Sequence, residues 1–186
     1  MASRSIEYAG FAAAAAATLL SATVFATGTA VISCVFAWTM IAIAVSDARR
    51  FIVPDHLSLP AIPAGLLASG WLAPGALAHD VILHHTAAAL AGAGGLFAVG
   101  EAYRRLRHRS GLGLGDVKLM AVAGAWTGFD GLLLCLLLAC AAAISYVLAA
   151  ALVTRGAIDR FTAIPFGTFL APAVWVVWAW IQATRL

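Results

Sequence analysis

Two aspartates lie at the borders of long apolar stretches. Asp47 comes just after an apolar run that ends at Val45, and Asp116 follows a glycine-rich stretch and opens another apolar run. An ionisable side chain at the edge of hydrocarbon is costly, so such a residue is by default a candidate for function. Two carboxylates that meet cannot both ionise easily and tend to share one proton. The ionised member can then take a proton from water that attacks a carbonyl, while the protonated member donates to the carbonyl oxygen.

Both aspartates also have simpler explanations. Asp116 can cap the N-terminus of a helix that begins there, a position that Asp favours. Asp47 can form a surface ion pair with Arg50, which follows it by about one helical turn. Residue spacing alone leaves these alternatives open beside the acid pair.

The composition indicates an integral membrane protein made of helices. Of the 186 residues, 63% are hydrophobic and 10% are charged, and the mean hydropathy is +0.99. The apolar stretches lack the short alternation that is typical of a membrane barrel. The net charge of +3 is interpreted as a signal for membrane orientation rather than for binding nucleic acid. We therefore expect one all-α domain over residues 1–186, a polytopic transmembrane helical bundle.

Nothing in the sequence calls for a metal or a cofactor. The three cysteines lie in apolar runs and form no C-x-x-C pair, so neither a thiolate zinc site nor a disulfide framework is predicted. Asp80 and His84 are one helical turn apart, with His79 and His85 nearby, and could hold a metal ion. The topology below places this cluster across the bilayer from the aspartates, which favours an interfacial role.

The apolar stretches predict six or seven membrane spans, since one span takes roughly 20 residues. The run from Tyr8 to Val45 is too long for one helix and is divided at Thr27-Gly28-Thr29. A turn at Gly128-Phe129-Asp130-Gly131 separates a short fifth helix from a long sixth. The other spans are predicted at Leu57–Trp71, with Pro60 and Pro63 as kink sites, at Val81–Gly100, with a small-residue seam of Ala87, Ala91 and Gly95, and at Phe161–Ala183.

The basic residues predict how the spans are oriented. Alternating spans place nearly all of them on one side, which the positive-inside rule identifies as the cytoplasm. They are Arg4, Arg49, Arg50, Arg104, Arg105, Arg107, Arg109, Arg155 and Arg160, with Arg185 on the other side. Asp47 and Asp116 then share the cytoplasmic side and a similar depth. Four tryptophans are expected to form an aromatic belt near the outer surface: Trp71, Trp126, Trp178 and Trp180.

Two local motifs carry a family resemblance. Asp47 precedes Pro54-Asp55 by a short, fixed stretch, and Asp116 stands in the motif Gly113-x-Gly115-Asp116-x-Lys118. In this order and on the same membrane side, these motifs resemble the type IV prepilin leader peptidases, which are membrane aspartic proteases. The later segments Ala121 to Trp126 and Ile164 to Gly167 also look like that family, so the resemblance covers most of the chain after Val45.

The resemblance implies roles for particular residues. Asp47 and Asp116 would be the catalytic pair, and the glycines before Asp116 would let a substrate backbone approach closely. The remaining residues of the motifs would bind substrate or shape the site: Gly113, Gly115, Lys118, Pro54, Asp55, Pro165 and Gly167. Simpler roles stay open for some of them. Asp55 can be the N-cap of the third span, Lys118 can reach toward lipid head groups, and Pro165 and Gly167 can simply begin the last helix.

The resemblance also implies substrate and location. Family substrates are prepilins or pseudopilins with a short basic leader, a glycine at the cleavage point and then an apolar helix in the membrane. The chain is expected to cut them without a cofactor at the cytoplasmic face of the bacterial inner membrane, in contact with lipids. Presenilin-type proteases also carry G-x-G-D, but they cut within a membrane helix. Longer family members resemble this chain but add an N-terminal domain with paired C-x-x-C motifs that methylates the product, so peptidase activity without methylation is expected, as in short forms that serve tight-adherence pili.

Two other functions compete with this interpretation. A small proton-coupled transporter could use the same acids as relay groups. A noncatalytic assembly protein could retain the fold without the reaction. The polar residues gather at one border instead of crossing the bilayer, and no internal repeat is evident, which favours the peptidase over a transporter.

Overall fold

The computed structural model describes residues 2–73, 75–108, 113–154 and 164–184, and these ranges are almost entirely helical. The helices are α1 (Ala2–Val24), α2 (Thr27–Arg50), α3 (Asp55–Leu72), α4 (Ala78–Arg107), α5 (Leu114–Thr154) and α6 (Gly167–Thr184), with a short 3-10 turn at Gly75–Leu77 before α4. Arg109, Arg155, Arg160 and Arg185, which contribute to the predicted orientation, lie outside the described residues. The fold is the predicted all-α bundle.

Four helices of the described ranges are long and apolar enough to cross a membrane, by length and composition: those covering Ser5–Val24, Thr27–Arg50, Ala78–Arg107 and Leu114–Val153. Helices α3 and α6 have 18 residues each. The bundle is therefore a membrane protein, as predicted. The number of six or seven full crossings stays a prediction.

The connection between α2 and α3 is short and follows from its residues. Phe51 adopts a left-handed conformation (φ 55°), and its N–H donates to the Asp47 carbonyl at 2.8 Å, so α2 ends at Arg50. Pro54 disfavours helical geometry in the residue before it, so the chain stays extended until α3 begins at Asp55. This places the end of α2 beside the start of α3.

Helix α5 folds back on itself at the predicted turn. Gly128 has φ 63° and ψ −166°, a conformation that side chains with a Cβ rarely adopt, and it divides α5 into segments 114–127 and 129–154. A Cβ on Gly128 would lie 3.1 Å from the His84 ring. The predicted short and long helices are therefore the two halves of α5.

The centre of the bundle is aromatic. The rings of Phe36 on α2 and Trp126 on α5 stack with centroids 3.6 Å apart, and Trp178 on α6 meets both edge-on. Trp126 Nε1 also donates to the Ala61 carbonyl of α3 at 2.8 Å. The expectation of an outer aromatic belt is wrong for Trp126 and Trp178, because these rings fill the contact between four helices.

The seam between α4 and α5 lies one residue away from the predicted one. Ala87, Ala91 and Gly95 are exposed. The close contact is made instead by Ala88 and Gly92: a Cβ on Gly92 would lie 2.8 Å from the Met120 carbonyl, and the Ala88 backbone leaves no room for a Cβ on α5 at Gly124. A pattern of small residues predicted the tight packing but not the face that makes it.

Candidate active site

Asp47 points into the bundle from the last turn of α2. Its side chain is buried, and Oδ2 accepts hydrogen bonds from the Thr168 backbone N–H at 2.8 Å and from Thr168 Oγ1 at 3.3 Å. These donors belong to the first turn of α6, and N–H groups at a helix N-terminus stabilise a negative oxygen. The alternative of a surface ion pair with Arg50 is wrong, because the carboxylate faces inward to α6.

Gly167 makes the approach of α6 to Asp47 possible. A Cβ on Gly167 would lie 2.9 Å from Asp47 Oδ2 and 3.3 Å from Leu119 Cδ1. Helix α6 begins at Gly167, later than the predicted Phe161, and residues 161–163 lie outside the described ranges. Pro165 lies just before the helix, and its carbonyl accepts a hydrogen bond from the Thr168 N–H at 3.2 Å. Gly167 therefore lies beside Asp47 and is also the first residue of α6.

Asp116 lies within the first turn of α5. The helix begins at Leu114, and the Asp116 N–H donates to the Gly113 carbonyl at 3.1 Å. The capping explanation is therefore wrong, since an N-cap residue precedes the first helical turn. The Asp116 carboxylate accepts a hydrogen bond from the Gly113 backbone and lines the space between α5 and the end of α2.

The two aspartates line one cavity of about 750 Å³ at the same end of the bundle. Their carboxyl groups are close enough to interact electrostatically. The cavity is walled by the connection between α2 and α3, the start of α5, the approach to α6, and apolar side chains from deeper in the bundle: Leu96, Leu136, Phe166 and Cys140. Two acids distant in sequence thus line one cavity, and their action as a catalytic pair stays a prediction.

Gly115 lets the start of α5 pack on the connection between α2 and α3. A Cβ there would lie 2.7 Å from Val53 Cγ2 and 2.9 Å from Val53 Cβ. Gly113 is different, because a Cβ would be in ordinary contact with Asp116 Oδ2 at 3.6 Å. The role of Gly113 in admitting a substrate backbone therefore stays a prediction.

Lys118 and Asp55 form an ion pair at the rim of the cavity, with Nζ 2.5 Å from Oδ1. The pair links the start of α5 to the start of α3. Asp55 is the first residue of α3, while Pro54 is at the N-cap position without a side-chain cap, so the capping role predicted for Asp55 is wrong. The Lys118 ammonium group lies against Asp55 in preference to extending toward head groups.

Thr168 is the contact residue that sequence reasoning missed. Both its N–H and its hydroxyl lie within hydrogen-bond distance of one carboxylate oxygen. In the sequence, however, it stands within an apolar segment, and no pattern there indicates a role for its hydroxyl. A hydroxyl residue directly after a glycine at the start of a helix is a signal that could have identified it, because exposed N–H groups are concentrated there.

The histidines near the start of α4 lie at the other end of the α5 hairpin. His85 Nδ1 is 2.9 Å from the Ala125 carbonyl, and the His84 ring contacts Phe129 edge-on. Within the described ranges, no group of three or more His, Cys, Asp or Glu residues is placed to hold a metal ion.

The chain is similar to known leader peptidases over most of its length. A prepilin leader peptidase/N-methyltransferase from Xanthomonas campestris pv. campestris is 34% identical over 82% of this chain and 50% of its own. A protein of the same name from Escherichia coli strain K12 is 36% identical over 86% of this chain and 66% of its own. The leader peptidase HopD from Escherichia coli is 37% identical over 75% of this chain and 86% of its own.

The chain thus spans about half the length of several relatives that it matches. No solved structure was found to match it. The model of the type IV leader peptidase family matches residues 34–148, a segment that contains both aspartates, the connection between α2 and α3, and the glycines before Asp116. By this match and by these relatives, the chain belongs to the type IV leader peptidase family.

Proposed function

We propose that this protein is an aspartic endopeptidase that removes the basic leader from type IV prepilins or pseudopilins. The observation that carries the proposal is the cavity in which Asp47 and Asp116 meet. The two residues come from different helices, and both line this cavity. The names of the relatives support the choice of substrate.

The surroundings of the two acids suggest different roles. Thr168 donates two hydrogen bonds to Asp47 Oδ2, which stabilises negative charge on that carboxylate. We therefore assign Asp47 as the base that takes a proton from the attacking water, and Asp116 as the acid that donates to the carbonyl oxygen. When the tetrahedral intermediate collapses, the C–N bond breaks, the proton that Asp47 took from water passes to the leaving amine, and the proton on the former carbonyl oxygen returns to Asp116.

The cavity suits a peptide that enters from water and continues into the membrane. Its volume of about 750 Å³ exceeds what one water molecule needs, and Leu96, Leu136 and Phe166 form apolar walls beside the two acids. An apolar helix can lie against such walls while the preceding leader stays in water. This arrangement supports a prepilin over a soluble peptide as the substrate.

We place the site at the cytoplasmic face of the bacterial inner membrane. Arg49 and Arg50 end α2 close to Asp47, and Arg104, Arg105 and Arg107 end α4. Arginines at these helix ends support a cytoplasmic position by the positive-inside rule. Lipid head groups are then the expected partners of the exposed arginines.

We further expect hydrolysis of the substrate without N-methylation by this polypeptide. The relatives of which it spans about half carry both activities in their names, whereas HopD, of which the match covers 86%, is named a leader peptidase alone. Mass spectrometry of the mature product in the presence of S-adenosylmethionine tests this. A product heavier by one methyl group would contradict it.

The test of the peptidase itself is cleavage of a purified prepilin in detergent. Asp47→Asn and Asp116→Asn each remove an ionisable group at constant size and are expected to abolish cleavage. The matched control is Asp130→Asn, an exposed aspartate at the turn of α5, which is expected to cleave like the unaltered protein. Cleavage that persists in either of the first two variants would defeat the pair assignment, and proton-coupled transport without cleavage would favour a carrier.

A further inference from the structure

Two residues after Asp47, the Arg49 side chain forms an ion pair with a neighbouring helix. Arg49 Nη1 lies 2.7 Å from Glu7 Oε1, which links the end of α2 to the start of α1. Asp47 itself turns the other way and binds Thr168 at the start of α6. The two side chains therefore leave α2 on different sides.

Asp116 shows the same arrangement. Lys118 follows it by two positions, and its ammonium group is bound to Asp55 of α3. The two cationic side chains are also similarly exposed, 33% for Arg49 and 31% for Lys118. Each acid of the candidate pair thus has, at the same spacing, an ion pair that links two helices, and the Asp55–Lys118 pair lies at the rim of the cavity.

Helix geometry couples each ion pair to its aspartate. Residues two positions apart differ by about 200° around a helix axis, so they point to nearly opposite sides. Lys118 reaches α3 at the rim of the cavity, so its ion pair with Asp55 fixes how the first turn of α5 is rotated and thereby the direction of Asp116. When Arg49 is drawn toward α1, Asp47 is turned toward α6 and the cavity.

Backbone hydrogen bonds alone restrict the last turn of α2 and the first turn of α5 only weakly, because both turns are at helix ends. Asp47 lies in the last turn of α2, which stops at the left-handed Phe51, and Asp116 lies in the first turn of α5, beside Gly113 and Gly115. Helix ends fray, and glycine adds conformational freedom. Side-chain ties to neighbouring helices restrict the rotation of such turns.

We propose that Glu7–Arg49 and Asp55–Lys118 are two clasps that rotate these helix ends and thereby aim Asp47 and Asp116 at each other. Their four members are positioning residues that act through the aspartates. The inference rests on the proposed function, in which the aspartates are the reacting pair. It adds one ion pair on each side of the site, and these ion pairs fix the orientation of the two aspartates.

Charge removal and charge exchange test the clasps. The neutral variants are Asp55→Asn and Glu7→Gln, which keep side-chain size. The exchanged variants re-form each pair in reverse: Asp55→Lys with Lys118→Asp, and Glu7→Arg with Arg49→Glu. The matched control is Glu101→Gln, which breaks ion pairs with Arg104 and Arg105 within α4 and links no two helices.

Two readouts separate positioning from a general loss of stability. The first is kcat and KM for prepilin cleavage. The second needs no activity: cysteines introduced by Asp47→Cys and Asp116→Cys are joined by a short bifunctional thiol reagent, in protein whose three native cysteines are alanine. The yield of the crosslink then reports whether positions 47 and 116 face each other.

We expect each neutral clasp variant to lower kcat roughly 10- to 100-fold with a smaller change in KM, since small misplacements of reacting groups have effects of this size. The crosslink yield falls in the same variants, the exchanged variants recover both readouts, and Glu101→Gln changes neither. Unchanged crosslinking in the neutral variants would overturn the proposal, as would a fall in kcat that the exchanged pairs do not reverse. If the unaltered protein fails to cleave prepilin, the proposed function fails and the crosslinking result alone decides whether the clasps exist.

Discussion

At the scale of single residues, Thr168 decides how Asp47 is held. Its N–H donates to Oδ2 at 2.8 Å, and its single hydroxyl hydrogen is shared between Oδ2 and the Ala44 carbonyl, both 3.3 Å away. Thr168→Val removes the hydroxyl but retains the N–H and the shape of the side chain. We expect kcat to fall about fivefold, since a long hydrogen bond to a charged group contributes about 1 kcal/mol. Thr168→Ser keeps the hydroxyl, and equal loss in both variants would show that the hydroxyl is not what matters.

Gly115 offers a second test at this scale. A methyl group there collides with Val53, so Gly115→Ala must push the start of α5 away from the connection between α2 and α3. We expect a loss of about 1 to 3 kcal/mol in the free energy of unfolding, measured by thermal or denaturant unfolding in detergent, together with slower cleavage. Gly95→Ala is the control, because a Cβ at this helical position meets no atom within 4 Å. A stable, fully active Gly115→Ala protein would contradict the described packing.

Residue types gave the acids of the site but not their hydrogen-bond partners. Asp47, Asp116 and Gly167 were identified from motifs, since an acid at a hydrophobic border and a glycine at a helix start are visible in the sequence. Thr168 and Glu7 were not identified from the sequence, because their roles depend on which helices become neighbours. The capping role predicted for Asp55 failed for the same reason, since its partner Lys118 lies on a distant helix.

At the scale of elements, Trp126 joins the helices that carry the site. It stacks on Phe36 of α2 and donates to the Ala61 carbonyl of α3, so it fixes α5 below the first turn that holds Asp116. Trp126→Phe keeps a ring but loses the hydrogen bond to the Ala61 carbonyl and part of the ring that stacks on Phe36. We expect a loss of about 1 to 3 kcal/mol in the free energy of unfolding. Trp71→Phe, at a tryptophan that is 82% exposed, is the control, and an equal loss there would contradict a core role for Trp126.

Helix order and most helix ends were predictable, but helix faces were not. Local signals in the chain predicted the turn at Gly128, a division at Thr27-Gly28-Thr29 that the structure has just before Thr27, and a third span from Leu57 that begins two residues earlier, at Asp55. The seam of Ala87, Ala91 and Gly95 was misplaced by one residue, and Trp126 and Trp178 were assigned to a belt. Apolar side chains are abundant on every face of a membrane helix, so composition does not tell which face meets protein and which meets lipid.

At the scale of the whole molecule, the proposed function requires the two carboxyls that line the cavity to act as one acid–base unit. The reaction needs one proton on the pair, so the cleavage rate should fall at low pH, where both carboxyls are protonated, and at high pH, where both are ionised. We expect a bell-shaped dependence of kcat/KM on pH at constant ionic strength. A rate that rises through a single ionisation to a plateau would contradict a shared proton.

The convergence of the pair was predictable at this scale because membrane topology restricts which helix ends can meet. Positive charges assigned the ends of α2 and α4 to one side, and alternating spans brought the start of α5 there too. The size of the cavity and the contact of α6 with Asp47 were not predictable, since they depend on side-chain packing among four helices.

The most direct measurement of the central claim compares single and double substitutions of the pair. Residues that act as one unit are non-additive, so removing the second costs nothing after the first is gone. Single-turnover cleavage of prepilin is measured for the unaltered protein, for Asp47→Asn, for Asp116→Asn and for the double variant. We predict that both single variants lose cleavage to the level of the double variant. Substantial cleavage in either single variant would contradict a catalytic pair of Asp47 and Asp116, as would a double variant slowed by the product of the two single effects.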